Sequence, residues 1–96
     1  YTDLTDKHKM STEVQLMFTN KSQDGQNNIC GKQIARLRKE MKLSQRQLAD
    51  ALQLAGLDVD KNAIQRIEAG KRFVTDIELL YFAKVLNSPL DILLSD

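Results

Sequence analysis

The feature that most constrains the fold is a series of helix signals that starts at Gly31 and continues to the last residues. Ser44 with Gln47, and Thr75 with Glu78, each place a hydroxyl residue three positions before Gln or Glu, which is the capping-box pattern of a helix start. Apolar residues follow both boxes at helical spacing, without sustained strand alternation. Because 96 residues hold one domain of ordinary size, the sequence predicts a single all-α domain.

Five helices are predicted from apolar spacing and from the residues that start or stop a helix. Asp58 or Asp60 is expected to cap helix three, and Gly56 is expected to end helix two in a left-handed conformation. The predicted limits are 31–42 for helix one, Ser44 to Gly56 for helix two, 61–69 for helix three, Thr75 onward for helix four, and a short helix five after Ser88 and Pro89.

The core is expected to form from apolar stripes on these helices. Helix five is expected to pack through Leu90, Leu93 and Leu94. The stripes of the longer helices are Ile34, Leu37 and Met41 in helix one; Leu48, Ala49, Leu52 and Ala55 in helix two; Ala63, Ile64 and Ile67 in helix three; and Ile77, Leu80, Ala83 and Leu86 in helix four.

The first 29 residues form a polar N-terminal arm that differs from the helical region, 30–96. The run 20–28 is polar throughout and is predicted to be a flexible connector. A single apolar patch at 14–18 is ambiguous between strand and helix. Because the chain begins with Tyr1 rather than Met, we expect a processed, truncated or tagged N-terminus with part of the arm non-native, and the predicted function does not depend on the arm.

Composition excludes several kinds of site. The single Cys30 and the single His8 supply neither an internal disulfide nor a zinc ligand set. The helical region contains no His and no phosphate-cradling glycine loop. No apolar stretch approaches the roughly 18 to 20 residues of a membrane span, and no secretory signal is present. We therefore expect a cytoplasmic protein without enzymatic activity, metal or cofactor.

Charge is distributed unevenly along the chain although the net charge is only +1. Residues 31–46 carry +5 and residues 61–72 carry +3, whereas residues 47–60 and 73–96 each carry −3. If the fold brings the two basic blocks to one surface, that surface can bind phosphate, and the total charge conceals it.

One face of predicted helix three carries side chains that can read DNA bases. At 100° per residue, Lys61, Asn62, Gln65 and Arg66 lie on one side of this helix. Arg can form two hydrogen bonds with guanine, and Asn or Gln can form two with adenine. On these four residues alone, a solvated helix face without a binding role is the favoured alternative.

Cations and amides on both sides of helix three favour the DNA-binding interpretation. Gln45 and Arg46 lie in the first turn of helix two, where amide donors and the helix dipole attract phosphate. Lys71 and Arg72 directly follow helix three. These four residues are therefore predicted to bind phosphates and to set the register of helix three on the duplex.

Four segments share a family pattern: GKQIARLR at 31–38, LSQRQLA at 43–49, IQRIEAGK at 64–71 and the closing helices at 80–94. Together they carry a resemblance of residues 31–96 to the lambda-repressor-like helix-turn-helix domains of the Cro/C1 type, also called the XRE family, which are five-helix DNA-binding modules of bacterial and phage regulators. It implies that helix three docks in the major groove of DNA and that helix two crosses the sugar-phosphate backbone of the DNA. It also implies phosphate contact by Gln45, base-facing positions for Lys61, Asn62 and Arg66, and a pair between Arg38 and Glu68.

The sequence departs from this family between helix two and helix three. Fourteen residues separate Ala49 from Ile64, more than the family usually has, which leaves the angle of helix three open. Leu54, Leu57 and Val59 in this extension are expected to cover the core. Asp50, Asp58 and Asp60 are expected to add negative charge near the DNA-binding face.

These features together predict a sequence-specific DNA-binding transcriptional regulator, acting as a repressor. The alternative is a protein-interaction module such as an antitoxin, which the apolar patch at 14–18 keeps open. The expected partners are double-stranded DNA, a second copy of the chain and a regulatory protein. The residues expected to form the dimer surface are Val85, Leu86, Pro89, Leu90 and Leu94.

Overall fold

The computed structural model describes residues 21, 22 and 24–95, which form five helices and contain no strand. The predictions for His8 and for the apolar patch at 14–18 lie outside the described residues. Within the described part, none of the helices is long and apolar enough to cross a membrane. The helices are α1 (Gly31–Glu40), α2 (Gln45–Ala55), α3 (Lys61–Glu68), α4 (Asp76–Val85) and α5 (Leu90–Leu93).

Three helices begin at the side-chain caps that the sequence predicts. Ser44 accepts a hydrogen bond from the backbone of Gln47, whose side chain accepts one from the backbone of Ser44 in return. Thr75 and Glu78 form the same capping box at the start of α4. Asp60 rather than Asp58 caps α3, because its carboxylate accepts the backbone N–H three residues later at 2.8 Å.

The extended connection between α2 and α3 begins at Gly56, which has the predicted left-handed conformation (φ 112°). Val59 is buried and Leu57 is half-buried, so both cover the core as expected. The same prediction for Leu54 is wrong, since its side chain is 91% exposed. Leu54 lies two positions after the fully buried Leu52. Side chains two positions apart on an α-helix point in nearly opposite directions.

A single hydrophobic core receives side chains from all five helices. Its largest fully buried members are Ile34 from α1, Leu48 and Leu52 from α2, Ile64 and Ile67 from α3, Phe82 from α4, and Leu93 from α5. Because α2 packs against α3 and α4 while α1 packs against α3 and α5, the core fixes one face of every helix.

The predicted apolar stripe of α4 is partly wrong. Ile77 and Leu80 are 63% and 57% exposed, whereas Phe82 and Leu86 are buried and Leu79 is half-buried. Nearly every side of α4 carries apolar residues, so periodicity could not identify its inner face. The helix turns Phe82 inward, and this side chain is fully buried.

The end of α1 and the short α5 bury fewer residues than the sequence predicts. Met41 lies just beyond α1 and is 45% exposed. Only Leu93 of α5 enters the core, while Leu90 and Leu94 are partly exposed. Four residues make barely one turn of helix, and one turn can direct a single side chain inward.

The predicted dimer surface loses one of its members. Leu86 is 4% exposed and belongs to the core, so it cannot contact a second copy of the chain. Val85 is half-buried, and Pro89, Leu90 and Leu94 are exposed. Leu86 was expected both in the core stripe of helix four and on a dimer surface of the closing helices, and the packing places it in the core.

An ion pair between Arg38 and Glu68 joins α1 to the end of α3. Arg38 Nε lies 2.6 Å and Nη2 lies 3.0 Å from the two carboxylate oxygens of Glu68, and both side chains are at most 10% exposed. Arg38 Nη1 also donates to the carbonyl of Leu43 at 2.7 Å. The hydrogen bond to Glu68 raises the pKa of Arg38, against the opposing effect of burial.

A second ion pair ties the connection after α3 to the start of α4. The guanidinium of Arg72 donates to both carboxylate oxygens of Glu78, at 3.0 and 3.2 Å. Desolvation by burial acts to raise the pKa of Glu78, but the hydrogen bonds from Arg72 and from the Thr75 backbone outweigh it. The pKa of Glu78 is therefore lowered from its ordinary value of 4.5.

The polar run before α1 does not behave as the predicted flexible connector near its C-terminal end. Asn27 N–H donates to the carbonyl of Gly70 at 2.8 Å. The side-chain amide of Asn28 donates to the carbonyls of Ile67 and Arg72, at 3.0 and 2.8 Å. These residues are held against the end of α3 by hydrogen bonds to a carbonyl of its last turn and to carbonyls of the connection that follows it.

We expect Arg38→Ala to lower the free energy of unfolding by about 3 to 5 kcal/mol or to prevent folding, because it leaves the buried carboxylate of Glu68 unpaired. Arg36→Ala is the matched control, since Arg36 lies on the same helix and pairs with the exposed Glu40. The control should cost at most about 0.5 kcal/mol. Urea unfolding measures both, and equal losses in the two variants would contradict the structural role of the buried pair.

Glu78→Gln should be less stable than the wild type at pH 7 by about 1 to 3 kcal/mol, because it loses a charged hydrogen-bond acceptor. The lowered pKa of Glu78 contributes stability above its ordinary value of 4.5, and this contribution is lost as the pH falls through the lower folded value. The difference between the two proteins should therefore shrink as the pH falls from about 5 to about 3. Thermal unfolding across this range is the measurement, and a difference that stays constant with pH would refute the assignment.

Candidate nucleic-acid interface

The exposed face of α3 carries the four predicted base-reading residues. Lys61, Asn62, Gln65 and Arg66 are all exposed, while Ile64 and Ile67 on the opposite face are fully buried. The cap by Asp60 and the anchoring of these two isoleucines fix the rotation of α3 about its axis. The structure therefore brings the four residues together on one outward surface, which we call the α3 face.

The side chains of the α3 face have donors available for an external partner. Among residues 21, 22 and 24–95, none forms a side-chain hydrogen bond or an ion pair with Lys61, Asn62, Gln65 or Arg66. By contrast, Asp60, Glu68 and Arg72 near the ends of α3 each form a hydrogen bond or an ion pair within the protein. The α3 face can therefore donate to base edges or phosphates without first breaking an internal bond.

A shallow groove extends the α3 face toward the connection after the helix. Its volume is about 300 Å³, and its lining consists of Asn62, Gln65, Arg66, Ala69 and Lys71. Lys71 thus lies beside three of the predicted base-reading residues although it follows the end of the helix. The groove joins a cation outside α3 to the α3 face, as a combined base and phosphate contact requires.

The two predicted phosphate contacts at the start of α2 have different environments. Arg46 is exposed. Gln45 is half-buried, and its side-chain amide donates to Glu68 at 3.1 Å. Since an amide has two N–H donors, Gln45 can hold the end of α3 with one and keep the other for a phosphate. The backbone N–H groups of the first helical turn add further donors there.

The two predicted phosphate contacts after α3 are not equivalent either. Lys71 is exposed, and its backbone N–H donates to the carbonyl of Arg66 at 2.9 Å. Arg72 is engaged by Glu78 and by the carbonyl of Phe73. This internal pairing neutralises Arg72 and competes with the predicted phosphate contact.

The three acidic residues between the two basic blocks differ in their environments. The carboxylate of Asp60 accepts the N–H of Ala63, so it is directed at the helix backbone. Asp50 and Asp58 are exposed. Part of the negative charge between the basic blocks is therefore used to start α3.

Sequence reasoning missed the contribution of Asn27 and Asn28 to the end of α3. Both were read as linker residues because the run around them has no apolar side chain. One local signal was available: Asn is a preferred cap, and Asn28 lies three residues before Gly31, whose N–H it accepts at 2.8 Å. The contacts with α3 link positions about forty residues apart and have no local signal.

Comparisons with known proteins agree with this geometry. The helix-turn-helix family model HTH_3 matches residues 34–93, which is more than half of the chain. The fold is similar to that of the restriction-modification controller protein C.AhdI from Aeromonas hydrophila, with a TM-score of 0.58 and 26% sequence identity over 67% of this chain and 86% of that chain. A comparison with curated protein sequences found no match.

The matched range runs from α1 through α5 and so includes α2, α3 and the α3 face. The family consists of DNA-binding regulators and not of enzymes. With α2 packed against α3 and a polar face exposed on the second of these helices, the chain has the arrangement that a helix-turn-helix requires. The chain belongs to the helix-turn-helix family of the Cro/C1 (XRE) type and is a DNA-binding domain.

Proposed function

We propose that the protein is a sequence-specific transcriptional regulator that inserts α3 into the major groove of double-stranded DNA. The observation that carries the proposal is the α3 face, with four polar side chains that point outward and have no partner among the described residues. The similar structure, C.AhdI, is described as a controller protein, which supports a regulatory role. Repression is the simplest mode, because occupying a promoter needs no further activity.

Sequence preference would come from the α3 face. The guanidinium of Arg66 can donate two hydrogen bonds to the O6 and N7 atoms of a guanine. The amides of Asn62 and Gln65 can each pair with the N6 and N7 atoms of an adenine, and Lys61 can donate to a guanine or to a phosphate. Each good pair of this kind contributes about 1 to 3 kcal/mol of discrimination between bases.

Affinity would come chiefly from phosphates on either side of the α3 face. Arg46 and Gln45 would hold one strand at the start of α2, where the positive end of the helix dipole assists. Lys71 would hold a phosphate beside the groove after α3. Arg72 would contribute to affinity indirectly, because its ion pair with Glu78 supports the connection that carries Lys71.

A dimer would double the interface and would bind two half-sites about one helical turn apart. The exposed residues near α5 that fit this role are Val85, Pro89, Leu90 and Leu94, without the buried Leu86. A regulatory partner protein could use the same surface. The alternative function, a protein-interaction module such as an antitoxin, predicts that DNA binding is weak or indiscriminate.

Arg66→Ala should lower affinity for the preferred DNA site by about 5- to 150-fold, with little change for other sequences, because it removes one base contact. The preferred site is selected from a random DNA pool, and fluorescence anisotropy measures binding to it and to scrambled DNA. Lys84→Ala is the control, since it removes one exposed positive charge from α4. An equal loss on both DNAs would contradict base reading by Arg66, and a wild type without sequence preference would favour the interaction module.

Arg46→Ala and Lys71→Ala should each weaken binding to all sequences and leave the preference unchanged. Each removes one phosphate contact, so the slope of log affinity against log salt concentration should fall by about 0.9. Titrations at several salt concentrations measure this slope. If both variants have the same slope as the wild type, neither residue contacts a phosphate.

A further inference from the structure

The side chain of Asn28 connects three parts of the chain at the end of α3. Its Nδ2 group donates to the carbonyl of Ile67 at 3.0 Å and to the carbonyl of Arg72 at 2.8 Å. Its Oδ1 atom accepts the backbone N–H of Gly31 at 2.8 Å. One amide thus links the last turn of α3, the connection after it and the first turn of α1.

The start of α1 and the end of α3 approach each other so closely at this link that there is no space for a side chain at Gly31. A Cβ atom on Gly31 would overlap the carbonyl oxygen of Ile67 and would lie 2.9 Å from Oδ1 of Asn28. Residues other than glycine therefore do not fit at this position without a shift of backbone. The start of α1 and the end of α3 therefore approach each other closely through their backbones, and Asn28 lies at this contact.

Asn27 extends the contact to the residue that follows the α3 face. Its backbone N–H donates to Gly70 at 2.8 Å, and its side-chain Nδ2 group donates to the carbonyl of Lys71 at 3.0 Å. The N–H of Lys71 donates to the carbonyl of Arg66 at 2.9 Å. The backbone of Lys71 is thus bonded to α3 through its N–H and to Asn27 through its carbonyl.

We propose that Asn27 and Asn28, which we call the asparagine clamp, are positioning residues for DNA binding. The clamp fixes the backbone that carries Lys71 relative to Arg66, so that the phosphate contact and the base contact reach the duplex in one register. Neither asparagine needs to touch DNA, because both act through the backbone after α3. The inference rests on the proposed function and adds to it the residues that align its two kinds of contact.

The test compares Asn27→Ala, Asn28→Ala and Lys71→Ala, alone and in pairs, by anisotropy titration at several salt concentrations and at a temperature where circular dichroism shows each variant folded. The slope of log affinity against log salt concentration is called the salt slope. If the clamp acts through Lys71, the magnitude of the salt slope should fall in the clamp variants as it does in Lys71→Ala, by up to about 0.9. The variant with both changes should then bind no more weakly than Lys71→Ala alone. If Asn28→Ala does not fold, Asn27→Ala tests the clamp, because it removes only the exposed hydrogen bond to Lys71.

Gln53→Ala is the matched control. The amide of Gln53 also donates to a backbone carbonyl, that of Val59 at 2.7 Å, but it lies before α3 rather than after it. This variant should lose stability and keep the full salt slope. Hydrogen exchange adds a readout without DNA: the N–H of Lys71 should exchange faster in the clamp variants, while that of Ala63 at the other end of α3 should not change.

The outcomes separate this inference from the proposed function. A wild type that binds DNA with a slope dependent on Lys71, together with clamp variants that keep the full slope, would overturn the clamp alone. Clamp and Lys71 effects that add in the double variants would also overturn it, since additivity indicates a purely structural role for the asparagines. A wild type that does not bind DNA would overturn both.

Discussion

The structure depends on holding one short helix at a fixed rotation. With eight residues, α3 is too short to be stable alone, so its position comes from its neighbours. Ile64 and Ile67 anchor its inner side in the core, and the ion pair between Arg38 and Glu68 holds its last turn to α1. Because the buried side is fixed in this way, the α3 face is directed outward, and its side chains have no hydrogen-bond partner among the described residues.

The same arrangement explains why a net charge of +1 is compatible with DNA binding. Two of the arginines that pair with glutamates, Arg38 and Arg72, are mostly shielded from solvent and stabilise the fold. The acid that starts α3 is used as a cap. The basic residues left exposed near α3 are Arg46, Lys61, Arg66 and Lys71. Total charge is therefore a poor guide, because it does not distinguish paired cations from the exposed cations beside α3.

Local signals in the sequence were enough to predict the helices and the α3 face. Capping residues such as Ser44 and Thr75, and the left-handed Gly56, act within a few neighbours, so their roles can be read from the chain itself. The inner face of α4 could not be predicted, because apolar residues surround that helix and only packing selects Phe82. The contacts of Asn28 were also missed, since they join residues far apart in the sequence that only the folded chain brings together.

If DNA docks on the α3 face and its flanking groove, as proposed, an NMR titration of the isotopically labelled protein with its selected DNA duplex will locate the bound duplex there. We expect the largest shift changes at the side-chain amides of Asn62 and Gln65 and at the backbone of Lys71, while the exposed side of α4 around Ile77 and Leu80 stays unchanged. Changes concentrated on that side of α4, with the α3 face unaffected, would rule out docking on the α3 face.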